Sequence, residues 1–163
     1  MPFKIKKGDQ VPSFQAYDSQ GKLISAESLL GQPYVIYFYP KDDTPGCTTQ
    51  ACQFRDIKPQ LEQIKTLVIG ISPDNSSSHN QFINKYSLNF TLLSDEDHHL
   101  CQLFDVWQEK INFGKKSMGI IRTTFVVDAQ GVIRWIERRV SVEGHAERVL
   151  AALKKYTGAE SHL

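Results

Sequence analysis

The stretch that decides the fold reads VIYFYPKDDTPGCTTQAC and runs from Val35 to Cys52. Its first five residues are apolar and mostly β-branched or aromatic, without alternation, which predicts a central strand buried on both faces. Pro40 ends that strand because proline has no N–H to give to a ladder. Thr44 then stands as the cap of a helix that opens with Pro45. The stretch therefore predicts a buried strand, a short loop and a helix in succession.

Two cysteines lie on this predicted helix, Cys47 in its first turn and Cys52 five residues later. In the first turn, free N–H groups and the positive end of the helix dipole favour the thiolate, which is the nucleophilic form of cysteine. On an intact helix the two α-carbons are about 8.6 Å apart, whereas a disulfide needs roughly 7 Å or less. The two thiols can therefore join only if the helix unwinds. The plainer alternative is a pair of small, inert, buried cysteines.

The remainder of the chain alternates strand and helix patterns and closes with a hairpin and a helix. Pro59 falls inside a helical pattern and predicts a break near 57–58, because proline cannot donate the helix hydrogen bond. This order predicts a single α/β domain over residues 1–163, with a mixed central sheet and helices on both faces. The predicted elements are a hairpin within 11–25, a helical turn at 26–30, strands at 66–72, 90–93, 120–128 and 132–137, and helices at 76–86, 98–104 and around 146–153.

Composition and charge limit the classes of partner and the cellular compartment that we expect for this chain. The 19 Lys and Arg residues nearly balance the 18 Asp and Glu residues, so no nucleic-acid or membrane surface is expected. No apolar run approaches the roughly 20 residues of a spanning helix, and the first residues lack the apolar core of a signal peptide. An odd count of 3 cysteines fits catalytic thiols in a reducing compartment. We therefore expect a cytoplasmic protein, with a processed organelle protein as the alternative.

A family resemblance is carried by three residues of the opening stretch. Pro40, Thr44 and Cys47 match the Pro-x-x-x-Thr-x-x-Cys signature of peroxiredoxins. With Cys52 five residues after the first thiol, the chain resembles the Q-type branch, also called bacterioferritin comigratory protein, over most of its length. The resemblance implies a thioredoxin-like fold and a thiol-dependent peroxidase for hydrogen peroxide and organic hydroperoxides. It also implies that no cofactor is needed, that the protein is a monomer, and that thioredoxin or a similar dithiol recycles it.

Peroxide reduction needs a nucleophile and a cation that stabilises charge on the leaving oxygen. Cys47 supplies the thiolate, and the resemblance places Arg122 beneath it; the alternative for this arginine is an ion pair at a strand end. Thr44 offers a hydroxyl to hold thiolate and peroxide, or it is only a helix cap. Pro40 shields the thiol from water, or it only ends the strand. The backbone amides of Gly46 and Cys47 are expected to bind a peroxide oxygen, as helix N-termini bind anions.

Attack on peroxide leaves Cys47 as a sulfenic acid, which condenses with a nearby thiol. Cys52 is the expected resolving cysteine, and the alternative is a buried helix residue. Cys101 is expected to be an inert cysteine on a helix face. Adjacent histidines at 98 and 99 point about 100° apart on a helix, so these residues and His79 are not expected to bind a metal.

Three other functions compete with this hypothesis. A thiol–disulfide oxidoreductase would normally carry Cys-x-x-Cys, which the chain lacks. A metal-binding thioredoxin-like chaperone is disfavoured by the four residues between the two cysteines and by Arg122. A peroxide sensor that passes oxidation to a partner shares the same chemistry and stays open. The chain departs from its relatives in two ways: it has no second cysteine motif near the carboxyl terminus, and Gln50 stands where many relatives carry Glu.

Overall fold

The computed structural model describes residues 4–156, which fold around a five-stranded sheet. The strands are β1 Gln15–Tyr17, β2 Leu23–Ser25, β3 Tyr34–Phe38, β4 Leu67–Ser72, β5 Thr91–Ser94, β6 Trp107–Asn112, β7 Lys115–Ile120, β8 Thr123–Val127 and β9 Ile133–Arg138. The helices are α1 Pro45–Asp56, α2 Lys58–Gln63, α3 Ser76–Tyr86, α4 His99–Leu103 and α5 His145–Tyr156, with a short 3-10 turn at Glu27–Leu29. Within this described part of the chain, no helix has the length and apolar character needed to cross a membrane.

The central sheet has the strand order β5-β4-β3-β8-β9. Strands β3, β4 and β5 run parallel to one another, whereas β8 pairs antiparallel with both β3 and β9. Every residue of β3 is buried, because other layers cover both sides of the sheet at its centre. The mixed sheet and the buried central strand that the sequence predicts are therefore confirmed.

Alternate residues of β3 contribute to two separate cores. Tyr37 packs with side chains of α1, α2, α3 and α5, whereas Phe38 packs with α4 and with the β1–β2 hairpin on the opposite face. Cys47 belongs to the first core and Cys101 to the second. Helices thus cover both faces, as predicted, and the sheet separates these two buried cysteines.

Prolines set both ends of the helix that carries the two neighbouring cysteines. Pro45 is the first residue of α1, where its missing N–H removes no helix hydrogen bond. The helix ends at Asp56, and α2 starts after one intervening residue, with Pro59 in its first turn. Because Pro59 cannot donate to the preceding turn, the chain breaks at Ile57 as the sequence predicts.

The sequence prediction is wrong around β6, β7 and β8. The sequence predicts one strand over 120–128, whereas β7 ends at Ile120 and β8 begins at Thr123. The chain leaves the β6–β7 hairpin and enters the central sheet between these two residues, so Arg122 belongs to neither strand. Pattern reasoning misses the hairpin because most of β7 is polar and exposed to solvent, which removes the apolar alternation that marks a half-buried strand.

Helix α5 begins at a fully buried histidine. Nε2 of His145 lies 2.9 Å from Oγ1 of Thr124, and its Nδ1 lies 3.4 Å from Oε2 of Glu137. Burial is the largest influence and lowers the pKa of His145 to about 4, while the charge of Glu137 acts in the opposite direction. The imidazole is therefore neutral in the folded protein at neutral pH.

This histidine makes stability depend on pH. We expect the free energy of unfolding to fall as the pH drops from 6.5, the ordinary pKa of histidine, to about 4. In that window the unfolded chain binds a proton at His145 that the folded chain does not, so stability rises with pH. The pKa difference is worth roughly 3 kcal/mol. In His145→Gln, urea unfolding at successive pH values should show a weaker dependence of the free energy of unfolding on pH in this window. An unchanged dependence would show that other groups cause it.

Candidate active site

The thiol of Cys47 lies in the first turn of α1, and only 2% of the residue is exposed. The first hydrogen bond of the helix runs from the Thr48 N–H to the Thr44 carbonyl. The N–H groups of Gly46 and Cys47 precede this bond and so have no acceptor within the helix. The structure thus places a buried thiol beside backbone donors at the helix N-terminus, as the sequence predicts.

Arg122 brings a positive charge to this thiol. Its Nη2 donates to Sγ of Cys47 at 3.3 Å. The register of the sheet accounts for the position, because Thr123 pairs with Phe38 and so sets Arg122 beside the end of β3. A Cβ at Gly46 would lie 3.3 Å from the same Nη2, so glycine leaves room for the guanidinium against the helix. The contact joins a charged donor to the sulfur, and hydrogen bonds with a charged partner are the stronger kind.

Gln50 holds the same guanidinium from a second point on α1. Its Oε1 accepts from Nη1 of Arg122 at 2.6 Å, while Nη2 faces the sulfur. Both terminal nitrogens therefore have their own partner on the helix, which fixes the plane of the guanidinium. Sequence reasoning treats Gln50 only as a departure from relatives. Its spacing three residues after Cys47, on one helix face, is the signal that would have identified it.

Thr44 is the N-cap of α1 in its backbone, with the extended φ and ψ of −98° and 156°. The predicted cap position is therefore confirmed, although the Thr44 hydroxyl accepts no hydrogen bond from the helix. Instead Oγ1 donates to the carbonyl of Lys41 at 2.8 Å. The hydroxyl proton therefore closes the loop that precedes the helix.

Pro40 lies just beyond β3, with an exposed side chain. The preceding residue, Tyr39, is still joined to the sheet through its N–H and the Ile71 carbonyl. The ladder stops at the proline, so its predicted effect on the strand is confirmed. Shielding of the thiol by the proline ring stays a prediction.

The other two cysteines have different surroundings. Cys52 is partly buried on the same continuous helix as Cys47, and all three thiols are free. Cys101 is fully buried on α4 beneath the opposite face of the sheet. Burial, followed by a hydrogen bond with Asp95, raises the pKa of the Cys101 thiol far above its ordinary value. Cys101 therefore lies in a different core from Cys47, and its inertness stays a prediction.

A buried polar cluster lies beside the loop that enters α1. His79 Nδ1 lies 2.7 Å from Oδ2 of Asp42, and the ligand-type atoms of these residues and Asp74 are within 4.8 Å of one another. Sequence reasoning considers His79 with His98, but His98 packs against the ring of Trp107, 4.2 Å away. The carboxylates were missed because they lie more than 30 residues apart in the chain.

A buried thiol in the first turn of a helix, held by a guanidinium beside a mixed sheet, defines a thiol-dependent oxidoreductase. Comparison with known proteins makes the class specific. The AhpC/TSA family matches residues 7–136. Peroxiredoxin Bcp of Bacillus subtilis is 41% identical over 150 residues, which cover 92% of this chain and 96% of the relative. Peroxiredoxin Bcp of Escherichia coli K12 is 42% identical over 152 residues, with 93% and 97% covered.

Solved structures agree with the sequence relatives. PrxQ of Xylella fastidiosa superposes with a TM-score of 0.88 at 37% identity, covering 94% of this chain and 98% of that one. Bacterioferritin comigratory protein of Xanthomonas campestris gives a TM-score of 0.83 at 40% identity, covering 86% and 90%. The chain therefore belongs to the AhpC/TSA family and is a peroxiredoxin, an oxidoreductase that reduces peroxides through a thiol. Its fold is thioredoxin-like, as predicted, and its resemblance to the Q-type branch is confirmed.

Proposed function

We propose that this peroxiredoxin reduces hydrogen peroxide and organic hydroperoxides through Cys47, as a single-domain, cytoplasmic monomer that needs no cofactor. The observation that carries the proposal is the 3.3 Å contact between Arg122 Nη2 and the Cys47 sulfur. The thiolate attacks one peroxide oxygen, the O–O bond breaks, and the second oxygen leaves as water or an alcohol once protonated. Cys47 is then a sulfenic acid. The X. campestris protein has a described alkyl peroxide reduction activity, which supports the organic substrates.

The groups around the sulfur bind the peroxide, stabilise charge and limit the access of water. The amides of Gly46 and Cys47 donate to a peroxide oxygen, because a helix N-terminus binds negative charge. Arg122 stabilises both the thiolate and the charge that develops on the leaving oxygen. Thr44 holds the peroxide through its hydroxyl oxygen, and Pro40 limits the access of water.

We propose that Cys52 resolves the sulfenic acid by forming an intramolecular disulfide and releasing water. On the intact α1 the two α-carbons are about 8.6 Å apart, so the helix must unwind first. Unwinding breaks the bond from Gln53 Nε2 to the Val142 carbonyl, 2.9 Å, and the 3.3 Å bond from Ala146 N–H to Gln53 Oε1. It also releases the guanidinium from Gln50. These few contacts make the transition local.

The far end of α1 has its own attachments, which limit how far unwinding spreads. Nη1 of Arg55 donates to the Tyr86 carbonyl at 2.7 Å, and the Arg55 carbonyl accepts from Asn89 at 3.2 Å. The segment expected to unwind is therefore 48–54 and not the whole helix.

Cys52→Ser should stall the enzyme at the Cys47 sulfenic acid. Without a resolving thiol, the sulfenic acid persists and becomes prone to irreversible over-oxidation. We expect mass spectrometry to find sulfinic acid at Cys47 after excess peroxide in the variant and a disulfide in the wild type. Amides of 48–54 should exchange faster in the oxidised wild type than in the oxidised variant. Equal exchange in both proteins would show that no unwinding accompanies resolution.

Thioredoxin or a similar dithiol is the proposed reductant, because unwinding presents the disulfide to an external thiol pair. The test is peroxide-dependent oxidation of NADPH by the purified protein with thioredoxin and thioredoxin reductase. Sustained turnover supports the proposal. A single turnover that passes oxidation to a partner would instead favour a peroxide-sensing relay, and disulfide exchange without peroxide consumption would favour a thiol–disulfide oxidoreductase.

A further inference from the structure

The polar cluster of Asp42, Asp74 and His79, beside the loop that enters α1, joins four parts of the chain. Oδ2 of Asp42 meets Nδ1 of His79 at 2.7 Å and accepts from Ser78 Oγ at 2.8 Å, while Oδ1 accepts from the Tyr39 hydroxyl at 2.5 Å. Nε2 of His79 lies 3.0 Å from the Leu93 carbonyl. A carbonyl can only accept, so Nε2 is the donor in this contact, while Nδ1 faces the carboxylate of Asp42. Asp42 is thereby bonded to Tyr39, just after β3, and to α3, and through His79 it is connected to β5.

Asp74 connects this cluster to the loop backbone. Its Oδ2 accepts from the Asp42 N–H at 2.8 Å and from the Ser72 hydroxyl at 2.6 Å. The carbonyl of Lys41, at the other end of the same peptide unit, accepts from Thr44 Oγ1 at 2.8 Å. A peptide unit is planar, so fixing the N–H of Asp42 also fixes the direction of the Lys41 carbonyl.

The direction of the Lys41 carbonyl determines where the Thr44 hydroxyl donates its proton, and so which role is left to its oxygen. A hydroxyl has one proton and two lone pairs, and Thr44 gives its proton to Lys41. Its oxygen is left as an acceptor. A hydroperoxide carries an O–H that can donate to such an oxygen, whereas the Arg122 guanidinium and the helix amides can only donate. Donors and an acceptor together match a protonated hydroperoxide and not its anion.

We propose that Asp74 is a positioning residue for peroxide reduction, acting through the 41–42 peptide to keep Thr44 an acceptor for the O–H of the hydroperoxide. The inference rests on the function proposed above. Asp74 touches neither sulfur nor substrate in this arrangement. Its removal should let the peptide rotate and free the Thr44 proton, so that the hydroxyl can turn away from the peroxide.

The test is the rate of Cys47 oxidation by hydrogen peroxide in Asp74→Ala, Asp74→Asn, Thr44→Val and the double variant Asp74→Ala/Thr44→Val. Loss of one positioning hydrogen bond predicts a rate about three- to tenfold lower in Asp74→Ala. Asp74→Asn should recover most of the rate, because its amide oxygen still accepts from Asp42. Since Asp74 acts through Thr44, the double variant should be no slower than the slower single variant.

Two controls and one graded variant separate positioning from loss of stability. Asp128→Ala removes a buried carboxylate that, like Asp74, accepts from backbone N–H groups, but that follows the last residue of β8, at the end away from Arg122. This variant should oxidise at the wild-type rate. Alkylation of Cys47 by iodoacetamide should be unchanged in Asp74→Ala, whereas a loosened fold would expose the buried thiol and speed it. Ser72→Ala, which removes the second donor to Asp74, should slow oxidation by a smaller factor.

The proposal is overturned if Asp74→Ala reacts at the wild-type rate, if the two single effects multiply in the double variant, or if alkylation accelerates as oxidation slows. A wild-type protein that fails to reduce peroxide would overturn the proposed function instead. That outcome is measured on the wild type alone, so it is distinguishable from the outcomes measured on the variants.

Discussion

Replacing Cys47 with serine is expected to abolish peroxide reduction. A serine hydroxyl is a far weaker nucleophile than a thiolate at neutral pH, and the guanidinium beside it cannot act as a general base because it has no acceptor. Peroxide consumption with the thioredoxin system should fall to the level of the assay without protein. The buried position of the residue and the similar volume of serine mean that the fold should survive, which circular dichroism can check.

Cys101→Ser is the matched control for this experiment. It changes another buried thiol to the same residue, but on the opposite face of the sheet. Burial raises the pKa of Cys101 far above its ordinary value, so its thiol is not the attacking group, and most activity should remain. Full activity in Cys47→Ser, or loss of activity only in Cys101→Ser, would refute the assignment of the nucleophile.

The second large effect is expected from Arg122→Ala, which should slow Cys47 oxidation about ten- to a hundredfold, since charge-assisted hydrogen bonds contribute roughly 1.5–3 kcal/mol. The pH profile of alkylation should also move to higher pH, because the thiolate loses its cation. Stopped-flow oxidation and iodoacetamide labelling across a pH series measure the two effects.

Arg134→Ala provides a comparison, because Arg134 pairs with Asp128 at 2.6 Å and lies on β9, outside the site. Its oxidation rate and alkylation profile should match those of the wild type. Gln50→Ala, which frees one side of the guanidinium, should produce a smaller loss than Arg122→Ala. An alkylation profile that does not move in Arg122→Ala would show that this arginine does not hold the thiolate.

The elements that the sequence predicts well carry local signals. Helix α3 spans Ser76–Tyr86, the predicted 76–86, because its start and end depend on neighbouring residues. Asn75 caps it by accepting from Ser78 N–H at 2.9 Å, and Ser87 adopts a left-handed conformation after the last turn. The same holds for the strand, loop and first-turn thiol of the opening stretch, where prolines mark both boundaries.

Features that depend on distant contacts were not predictable in this way. The break before Thr123 arises because the chain changes from one sheet to another, and no single-strand pattern records that change. The hydroxyl of Thr44 bonds Lys41 and not the helix, in a loop whose Asp42 N–H donates to Asp74, 32 residues from Asp42 in the chain. Spacing in sequence could place Thr44 near the thiol, but it could not give the direction of its hydrogen bond.

The most direct test of the account is the mass of one tryptic peptide after peroxide treatment. Trypsin cleaves after Lys41 and Arg55, so residues 42–55 hold both Cys47 and Cys52, while Cys101 falls in another peptide. Reduced protein given one equivalent of hydrogen peroxide and digested without reductant should yield peptide 42–55 lighter by two hydrogens. A cross-link between this peptide and the one with Cys101, or between two copies of peptide 42–55, would contradict the resolution of Cys47 by Cys52 within one chain.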